Sequence, residues 1–290
     1  MNQPLVSICI PTYNGAAFLQ EALDSVLTQD YNNIEVIISD DNSQDDTLII
    51  LKAFKKRCQS PVTIMNHKPS GIGANWNNCV ENSQGTFIKF LFQDDLLHPT
   101  CVSKMVALAN KDNDIVLVTS DRNIIYDDNK ESHLHWVQSF GNLISYWSVV
   151  TVKDQSVVKG KILLGDENLL SEPHNKIGEP PTTLIRKSVF KKVGLFDQEL
   201  KQALDIEFWY RAMKAGKVGF LTEKLISFRL HDNQATMVNQ KAGVSEVYEI
   251  IRKIGGSSFW HLHFKFKKEY LYRNTILGLY YAKIKKKIIV

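Results

Sequence analysis

The sequence predicts an α/β domain built on a mostly parallel central sheet flanked by helices. Three observations carry this. Short apolar runs alternate with segments of helical spacing through the first hundred residues. Those runs are apolar throughout, as strands buried between two helix layers must be. Polar clusters follow three of the runs, and in an open parallel sheet such clusters collect on one edge.

The elements follow in order. Residues 5–10 form a continuous apolar run too short for an ordinary helix. Across 16–27, Phe18, Leu19, Ala22, Leu23, Val26 and Leu27 recur at helical spacing. Residues 34–39 are a second β-rich run. Asp45-Asp46-Thr47 caps a helix that Leu48, Leu51 and Phe54 continue. Residues 62–65 give a third strand, 72–83 a helix that Gly85 ends, and 87–92 a fourth strand. A helix from 99 to about 110 and a strand at 115–119 follow. The stretch 127–175 is polar, Trp-bearing and irregular, and reads as insertions over a site. Regularity returns with strands at 182–185 and 225–230 and a helix at 201–215 between them. The last fifty residues read as appended helices. The expected division is a domain at 1–240 and a basic, aromatic helical appendage at 241–290.

The chain has 290 residues, 44% of them apolar, enough for one large domain with or without an appendage. At 23% charged residues it is not a disordered chain. Charge is unevenly placed. Residues 261–290 hold eight Lys and Arg against Glu269 alone, a net of +7; the chain total of +4 leaves the body at −3. Cys9, Cys58, Cys79 and Cys101 have no zinc or redox spacing, which suits a reduced compartment. No basic leader precedes the first apolar run, and no apolar stretch approaches the roughly 20 residues of a membrane span.

The three polar clusters are Pro11-Thr12-Tyr13-Asn14-Gly15, Asp40-Asp41-Asn42-Ser43 and Gln93-Asp94-Asp95. Each alone is good turn chemistry. Together on one edge they point to a ligand. Asp94 and Asp95 are adjacent carboxylates that repel each other, and a divalent cation removes that cost. Oxygen ligands select Mg2+ or Mn2+ over zinc. The first turn carries no glycine-rich phosphate loop, which argues against a dehydrogenase or a P-loop NTPase.

Five segments, in order, resemble family-2 glycosyltransferases with the GT-A fold. They are the opening Val6-Ser7-Ile8-Cys9-Ile10-Pro11-Thr12-Tyr13-Asn14, the stretch from Ile37 to Thr47 around Asp40-Asp41, and the strand from Gly85 leading into Asp94-Asp95. The fourth is Val193-Gly194-Leu195-Phe196-Asp197 followed by Leu204-Asp205-Ile206-Glu207-Phe208-Trp209, and the fifth is Phe228-Arg229-Leu230-His231. The resemblance implies inverting transfer of a hexosyl group from a nucleotide-diphosphate sugar, a UDP-sugar first among them. It places Pro11, Thr12, Tyr13 and Asn14 at the nucleotide-sugar, with Thr12 and Tyr13 bordering the base. Asp41 accepts a hydrogen bond from the base, and Asp94 lies by the ribose and sugar. Asp95 ligates the metal, His231 reaches the diphosphate or the metal, and Asp205 is the catalytic base. The acceptor-side motif often carries Glu-Asp, whereas Leu204 precedes Asp205 here, so Glu207 competes with Asp205. Positions two apart on a helix do not share a face, so only one should point inward.

Other residues divide between packing and function. Trp76, within Asn75-Trp76-Asn77-Asn78, reads as packing. Arg229 has two readings, a diphosphate partner or an ion pair with an acid. Pro180 and Pro181 predict a rigid turn, with Glu179 a candidate acceptor contact. The resemblance suggests a saccharide or lipid-linked saccharide acceptor in bacterial surface polysaccharide or glycolipid synthesis. The tail alternates aromatic and basic residues, which suits an anionic membrane surface. The expected place is therefore cytoplasmic, peripheral on the inner face of the membrane. A nucleic acid partner is not expected, because the acidic strand ends repel phosphate. The alternatives are a sugar nucleotidyltransferase, for which the stretch 11–17 lacks the Lys or Arg of a triphosphate loop, and a non-catalytic nucleotide-sugar-binding module, which has no use for Asp205.

Overall fold

The computed structural model describes residues 3–143, 145–241 and 246–275. The first half alternates strand and helix: β1 (Val6–Thr12), α1 (Leu19–Leu27), β2 (Ile34–Asp40), α2 (Thr47–Arg57), β3 (Val62–Asn66), α3 (Ile72–Glu81) and β4 (Phe87–Phe90). A two-residue strand β5 (Leu96–Leu97), α4 (Cys101–Ala109), β6 (Ile115–Ile125), α5 (Glu131–Phe140), β7 (Ser156–Lys159) and α6 (Gly160–Leu164) follow. A 3-10 turn (Pro180–Thr182) leads into β8 (Thr183–Arg186), α7 (Ser188–Val193), α8 (Leu204–Ala215) and β9 (Lys217–Arg229). The chain then forms α9 (Ala235–Lys241), α10 (Val247–Ser258), a 3-10 turn (Phe259–His261) and α11 (Phe264–Asn274).

One sheet runs β3-β2-β1-β4-β8-β6-β9-β5, with β7 added on β9. The ladders β2–β3, β1–β2, β1–β4 and β6–β9 are parallel and hold most of the paired residues. β8 runs antiparallel to both neighbours. Side chains alternate across β1. Ile8 and Ile10 pack with α1, α2 and α4, while Cys9 faces the layer of α3, α6, α7, α8 and α10. The sheet is thus covered on both faces, which is why its strands read as unbroken apolar runs. Pro11 is tolerated inside β1 for a local reason. Cys9 turns its carbonyl toward the β4 side, where it accepts from the Leu91 amide, and Pro11 shares that parity. β4 ends at Phe90, so the missing N–H of Pro11 opens no ladder bond.

Two strands are longer than the sequence pattern predicts. β6 continues past Thr119 through Ser120, Asp121, Arg122 and Asn123, and β9 begins at Lys217 rather than 225. They pair with each other from Ile115↔Lys217 to Ile125↔Arg229. Polar residues in β6 and the glycine in β9 hide this from periodicity. A Cβ on Gly219 would meet Leu108 of α4 at 3.0 Å, so the glycine allows close approach and marks no loop. Within the stretch expected to be irregular, α5 forms because Trp136 stacks on Phe228 of β9 with centroids 5.5 Å apart.

The C-terminal helices are tied to the domain. Ile250 and Ile254 of α10, and Leu262, are buried in the same cluster as Phe208 and Met213 of α8. Lys253 pairs with Asp197. Glu246 accepts the backbone amides of Lys201, Gln202 and Ala203 at 2.6, 2.9 and 2.9 Å, just before α8. Lys283, Lys285, Lys286 and Lys287 lie outside the described residues. Among those described, no helix is long and apolar enough to cross a membrane.

Candidate active site

The site begins where β1 and β4 diverge, the switch point of the parallel half. Tyr13 N–H donates to Gln93 Oε1 at 2.9 Å and Gln93 Nε2 donates to Tyr13 O at 3.1 Å. This reciprocal clamp joins the segments after the two strands. Asn14 takes a left-handed backbone (φ 46°), its side chain accepts from Gln44 N–H, and its own N–H donates to Ser43 Oγ. Asn14 therefore shapes the turn with its polar groups. Tyr13 is exposed above it, and Thr12 Oγ1 donates to Asp40 Oδ1 at 2.9 Å.

Asp40 and Asp41 divide their work. Asp40 is fully buried and also accepts from Ser43 N–H, Ser43 Oγ and Asn66 Nδ2. Asp41 accepts the amides of Ser70 and Gly71 at 2.8 and 3.2 Å, with His67 Nδ1 3.4 Å away. Asp41 thus fixes the loop after β3 beside the β1 and β2 ends. Helix α3 ties these segments together. Asn75 Nδ2 donates to Thr12 O, Asn78 Nδ2 to Ser39 Oγ, and Asn77 exchanges two 2.9 Å bonds with the backbone of Phe196. Trp76 packs on Phe90, Phe92 and Phe196, as the packing reading required.

Asp94 and Asp95 meet the end of β9 because β5 pairs with it, Leu96 opposite Ser227. Arg229 N–H donates to Asp95 Oδ1 at 3.0 Å, and Arg229 Nε donates to Asp94 O at 3.0 Å. Its guanidinium also pairs with Glu21 and lies over the Phe18 ring. The ion-pair reading of Arg229 is met by Glu21. His231 Nε2 lies 3.0 Å from Asp94 Oδ2. Asp95 is fully buried, and its Oδ2 has no hydrogen-bond partner among the described residues. Burial, then the adjacent Asp94 charge, hold the Asp95 carboxyl well above the ordinary carboxylate range. An orphaned oxygen of this kind fits a cation ligand, which would favour the ionised form. Among the described residues no three His, Cys, Asp or Glu side chains converge to hold one ion. Any cation here would lean on Asp95 and complete its shell from ligand oxygens and water.

On the facing helix α8 the two candidate bases separate. Glu207 forms a two-point pair with Arg211, at 2.7 and 2.6 Å, and Arg211 also donates to the carbonyls of Val193, Gly194 and Leu195. Glu207 is therefore spent holding the loop before α8. Asp205 faces the segment after α6, where Asn175 Nδ2 donates to its Oδ2 and the Ile206 amide to its Oδ1, both at 2.8 Å. Burial pushes its carboxyl up to about 7, Glu179 adds to the push, and the Ile206 and Asn175 donors pull against it. A carboxyl poised there suits general base catalysis near neutral pH.

The chain matches known proteins over most of its length. A family model described as glycosyl transferase family 2 matches residues 7–194. An uncharacterised glycosyltransferase of Rickettsia typhi is 34% identical over 249 residues, which cover 86% of this chain and 70% of that one.

The chain belongs to glycosyltransferase family 2.

The fold of the enzyme is the GT-A fold. It resembles the 1–349 fragment of S. aureus TarS, solved with UDP-GlcNAc, at a TM-score of 0.67 and 21% identity, covering 87% of this chain and 66% of that one. Of the longer TarS chain it spans 43%. A Campylobacter jejuni relative, GalNAc(5)-diNAcBac-PP-undecaprenol beta-1,3-glucosyltransferase, is 33% identical over 109 residues, 37% of this chain and 35% of that one.

Several residues that support the site went unread in the sequence. Lys89 sits inside the apolar run of β4, fully buried, and donates to the carbonyls of Pro181 and Thr183. Arg122 is buried in β6, with Nε 3.1 Å from Glu179 Oε2. A charged residue within an otherwise apolar strand is a signal that it has a partner, and that signal was available for Lys89.

Proposed function

We propose that this family 2 enzyme is an inverting transferase that moves a hexosyl group from a nucleotide-diphosphate sugar to a hydroxyl of a saccharide or lipid-linked saccharide. The observation that carries it is Asp205. It is a buried carboxyl poised near 7, with its competitor Glu207 committed to Arg211, and the charge of Glu179 reaches both it and Asp95. The UDP-GlcNAc complex of TarS makes UDP-sugars the first donors to test. The undecaprenol-diphosphate-linked substrate in the name of the C. jejuni relative favours a lipid-linked acceptor, and with it surface polysaccharide or glycolipid synthesis.

The residues divide the reaction. Thr12, Tyr13 and Asp41 bound the nucleotide side, and Pro11 and Asn14 shape its turn. Asp95, with Asp94 and His231 beside it, would hold Mn2+ or Mg2+. When bound, that ion offsets the charge that develops on the departing diphosphate. Asp205 takes the proton of the acceptor hydroxyl, which attacks the anomeric carbon from the face opposite the leaving group. Configuration therefore inverts, through an oxocarbenium-like state as in inverting glycosidases. His231, bonded to Asp94, orients that carboxylate toward ribose and sugar.

The test is a panel of UDP-, GDP- and dTDP-sugars with acceptors, scored by nucleotide diphosphate release and by anomeric configuration of the product. We expect release from one donor class, loss in EDTA, and an inverted linkage. Retention of configuration, or equal rates in EDTA, would reject the respective assignment.

We also propose that the C-terminal surface rests on an anionic membrane. Trp260 and Phe264 are 84% and 67% exposed. Lys161, Lys214 and Lys267 lie around the adjacent His261, where burial and then these three charges lower the imidazole's proton affinity. This surface is at the Lys214 end of α8, with about 14 Å of helix between it and Asp205. It would tether the enzyme, leaving the cleft free for the acceptor.

A further inference from the structure

Glu179 and Arg122 meet beside the segment that holds Asp205 and have no part in the scheme above. The segment that carries Glu179 is fixed at nearly every residue. Asn175 binds Asp205, Ile177 O accepts from Thr119 Oγ1, and Gly178 O accepts from Trp209 Nε1. Glu179 O itself accepts from Thr182 N–H and Oγ1, both at 2.8 Å, and Lys89 holds Pro181 and Thr183 from beneath. Gly178 has φ 111°, and a Cβ there would meet Thr182 Oγ1 at 2.3 Å. The backbone of Glu179 is therefore held between a glycine that no other residue can replace without strain and two buried prolines.

Its side chain is not enclosed to the same degree. The Glu179 side chain is 21% exposed, whereas that of Arg122 is 1% exposed, with its guanidinium 5.7 Å from the ring centres of both Trp136 and Phe228. Arg122 Nη2 donates to Phe140 O at 2.9 Å. Its Nε and Nη1 have no hydrogen-bond partner among the described residues, although Nε is 3.1 Å from Glu179 Oε2. A buried ion pair adds stability only when its geometry is good and its remaining donors are satisfied. This pair is close but misaligned, so fold stability is a poor account of it. The charge of Glu179 acts on both Asp95 and Asp205, so it lies within electrostatic reach of each.

We propose that Glu179 is a saccharide-binding residue, its carboxylate accepting hydroxyl hydrogen bonds in the cleft between Asp95 and Asp205, with Arg122 as the buried residue that positions it. The inference rests on the transferase reading above. Its chemistry follows from the inventory of donors. Ionised carboxylates only accept, and sugar hydroxyls donate. A diphosphate offers only acceptors and negative charge, so this acidic stretch of the cleft suits the sugar and not the phosphates. The hydroxyls belong either to the transferred sugar or to the acceptor, and the test separates them.

The full chain is assayed with Mn2+, UDP and the UDP-sugar that it turns over. For Glu179→Gln we expect UDP affinity within about twofold of wild type and a loss of about tenfold or more in kcat/KM, the scale of a charged hydrogen bond. If Glu179 holds the donor sugar, UDP release into water without acceptor slows. If it holds the acceptor, that release is unchanged and the acceptor KM rises. Wild-type behaviour in both arms, or a loss of UDP affinity equal to the loss of turnover, overturns the inference. Arg122→Met should give the same split, and Arg122→Met with Glu179→Gln should be no worse than the poorer single variant, because the two act as one unit. Losses that multiply overturn the role of Arg122. Should Arg122→Met fail to fold, Arg122→Lys takes its place in the cycle and Glu179→Gln still decides the saccharide claim. A wild-type chain that releases nucleotide from no donor rejects the transferase reading and this inference with it, before any variant is compared.

Discussion

Asp205 and Glu207 stand two positions apart on α8, and their partners assign them different work. Asp205 is held by Asn175 in the cleft, and Glu207 is paired with Arg211. Helical geometry sends the two to different faces, but against the expectation that only one points inward both are buried. The partner that separates them is Arg211, four residues beyond Glu207, a spacing at which side chains meet. That much was legible in the sequence. The carbonyls of Val193, Gly194 and Leu195 that complete the Arg211 shell were not, because they depend on how the preceding loop folds back. Glu207→Gln is expected to cost about 1–3 kcal/mol of stability, through the partly unpaired Arg211, while keeping most turnover at saturating substrate. Denaturant midpoints and kcat measured together check this. Asp205 also sets a pH dependence. A base must be ionised, and a carboxyl at about 7 is mostly protonated below that value. The acceptor-dependent rate should therefore rise with pH through about 7 and level off above it, about tenfold per unit on the acid side. A flat profile from pH 5 to 8 would remove Asp205 as the base.

Among the elements, those of the parallel half were the most legible, because each strand there is buried on both faces and each helix carries an apolar stripe. β9 was read only in part. It starts in Lys217-Val218-Gly219, where the glycine serves a contact with α4, and it ends at Arg229 beside the metal candidates. The pairing of β5 with β9 joins Asp94-Asp95 to the Arg229–His231 segment, and two residues of ladder leave no periodic signal. The same holds for the start of α8. Three backbone amides at 201–203 gather on Glu246, so a residue of the C-terminal stretch fixes the loop that leads into the helix that carries Asp205. Replacing Glu246 with Ala should lower stability by about 1–3 kcal/mol, the scale of lost hydrogen bonds to a charged acceptor, and lower kcat through displacement of Asp205. Thermal unfolding and kcat of that variant test both effects; loss of stability with unchanged kcat would place this loop anchor outside the catalytic frame.

At the scale of the whole molecule, the sequence pattern reveals most of the strands but not their order. β8 enters the sheet between β4 and β6, antiparallel to both, and brings the Pro180–Thr182 turn and Glu179 into the cleft. Nothing in the spacing of apolar residues encodes that insertion. The aromatic and basic character of the C-terminus was plain from composition, whereas its place at the Lys214 end of α8 was not. Vesicles with 30% anionic lipid (about that fraction suffices for a surface potential) should sediment the full chain, and salt should release it. Trp260→Ala with Phe264→Ala should weaken that binding about tenfold or more, since each ring contributes apolar area in the interface. Equal binding to neutral vesicles, or no loss in the double variant, would exclude this surface as the tether.

In the proposed scheme two acidic sites have separate duties, Asp95 for the diphosphate side and Asp205 for the acceptor proton. The most direct measurement is titration of UDP with Mn2+ into Asp95→Ala and Asp205→Asn, each paired with its rate of sugar transfer. Asp95→Ala should lose the Mn2+-dependent part of UDP affinity together with transfer. Asp205→Asn should bind UDP within about twofold of wild type and transfer at least about a thousandfold more slowly, within the range for a missing general base. Wild-type transfer by Asp205→Asn, or equal loss of UDP affinity in both variants, would contradict it.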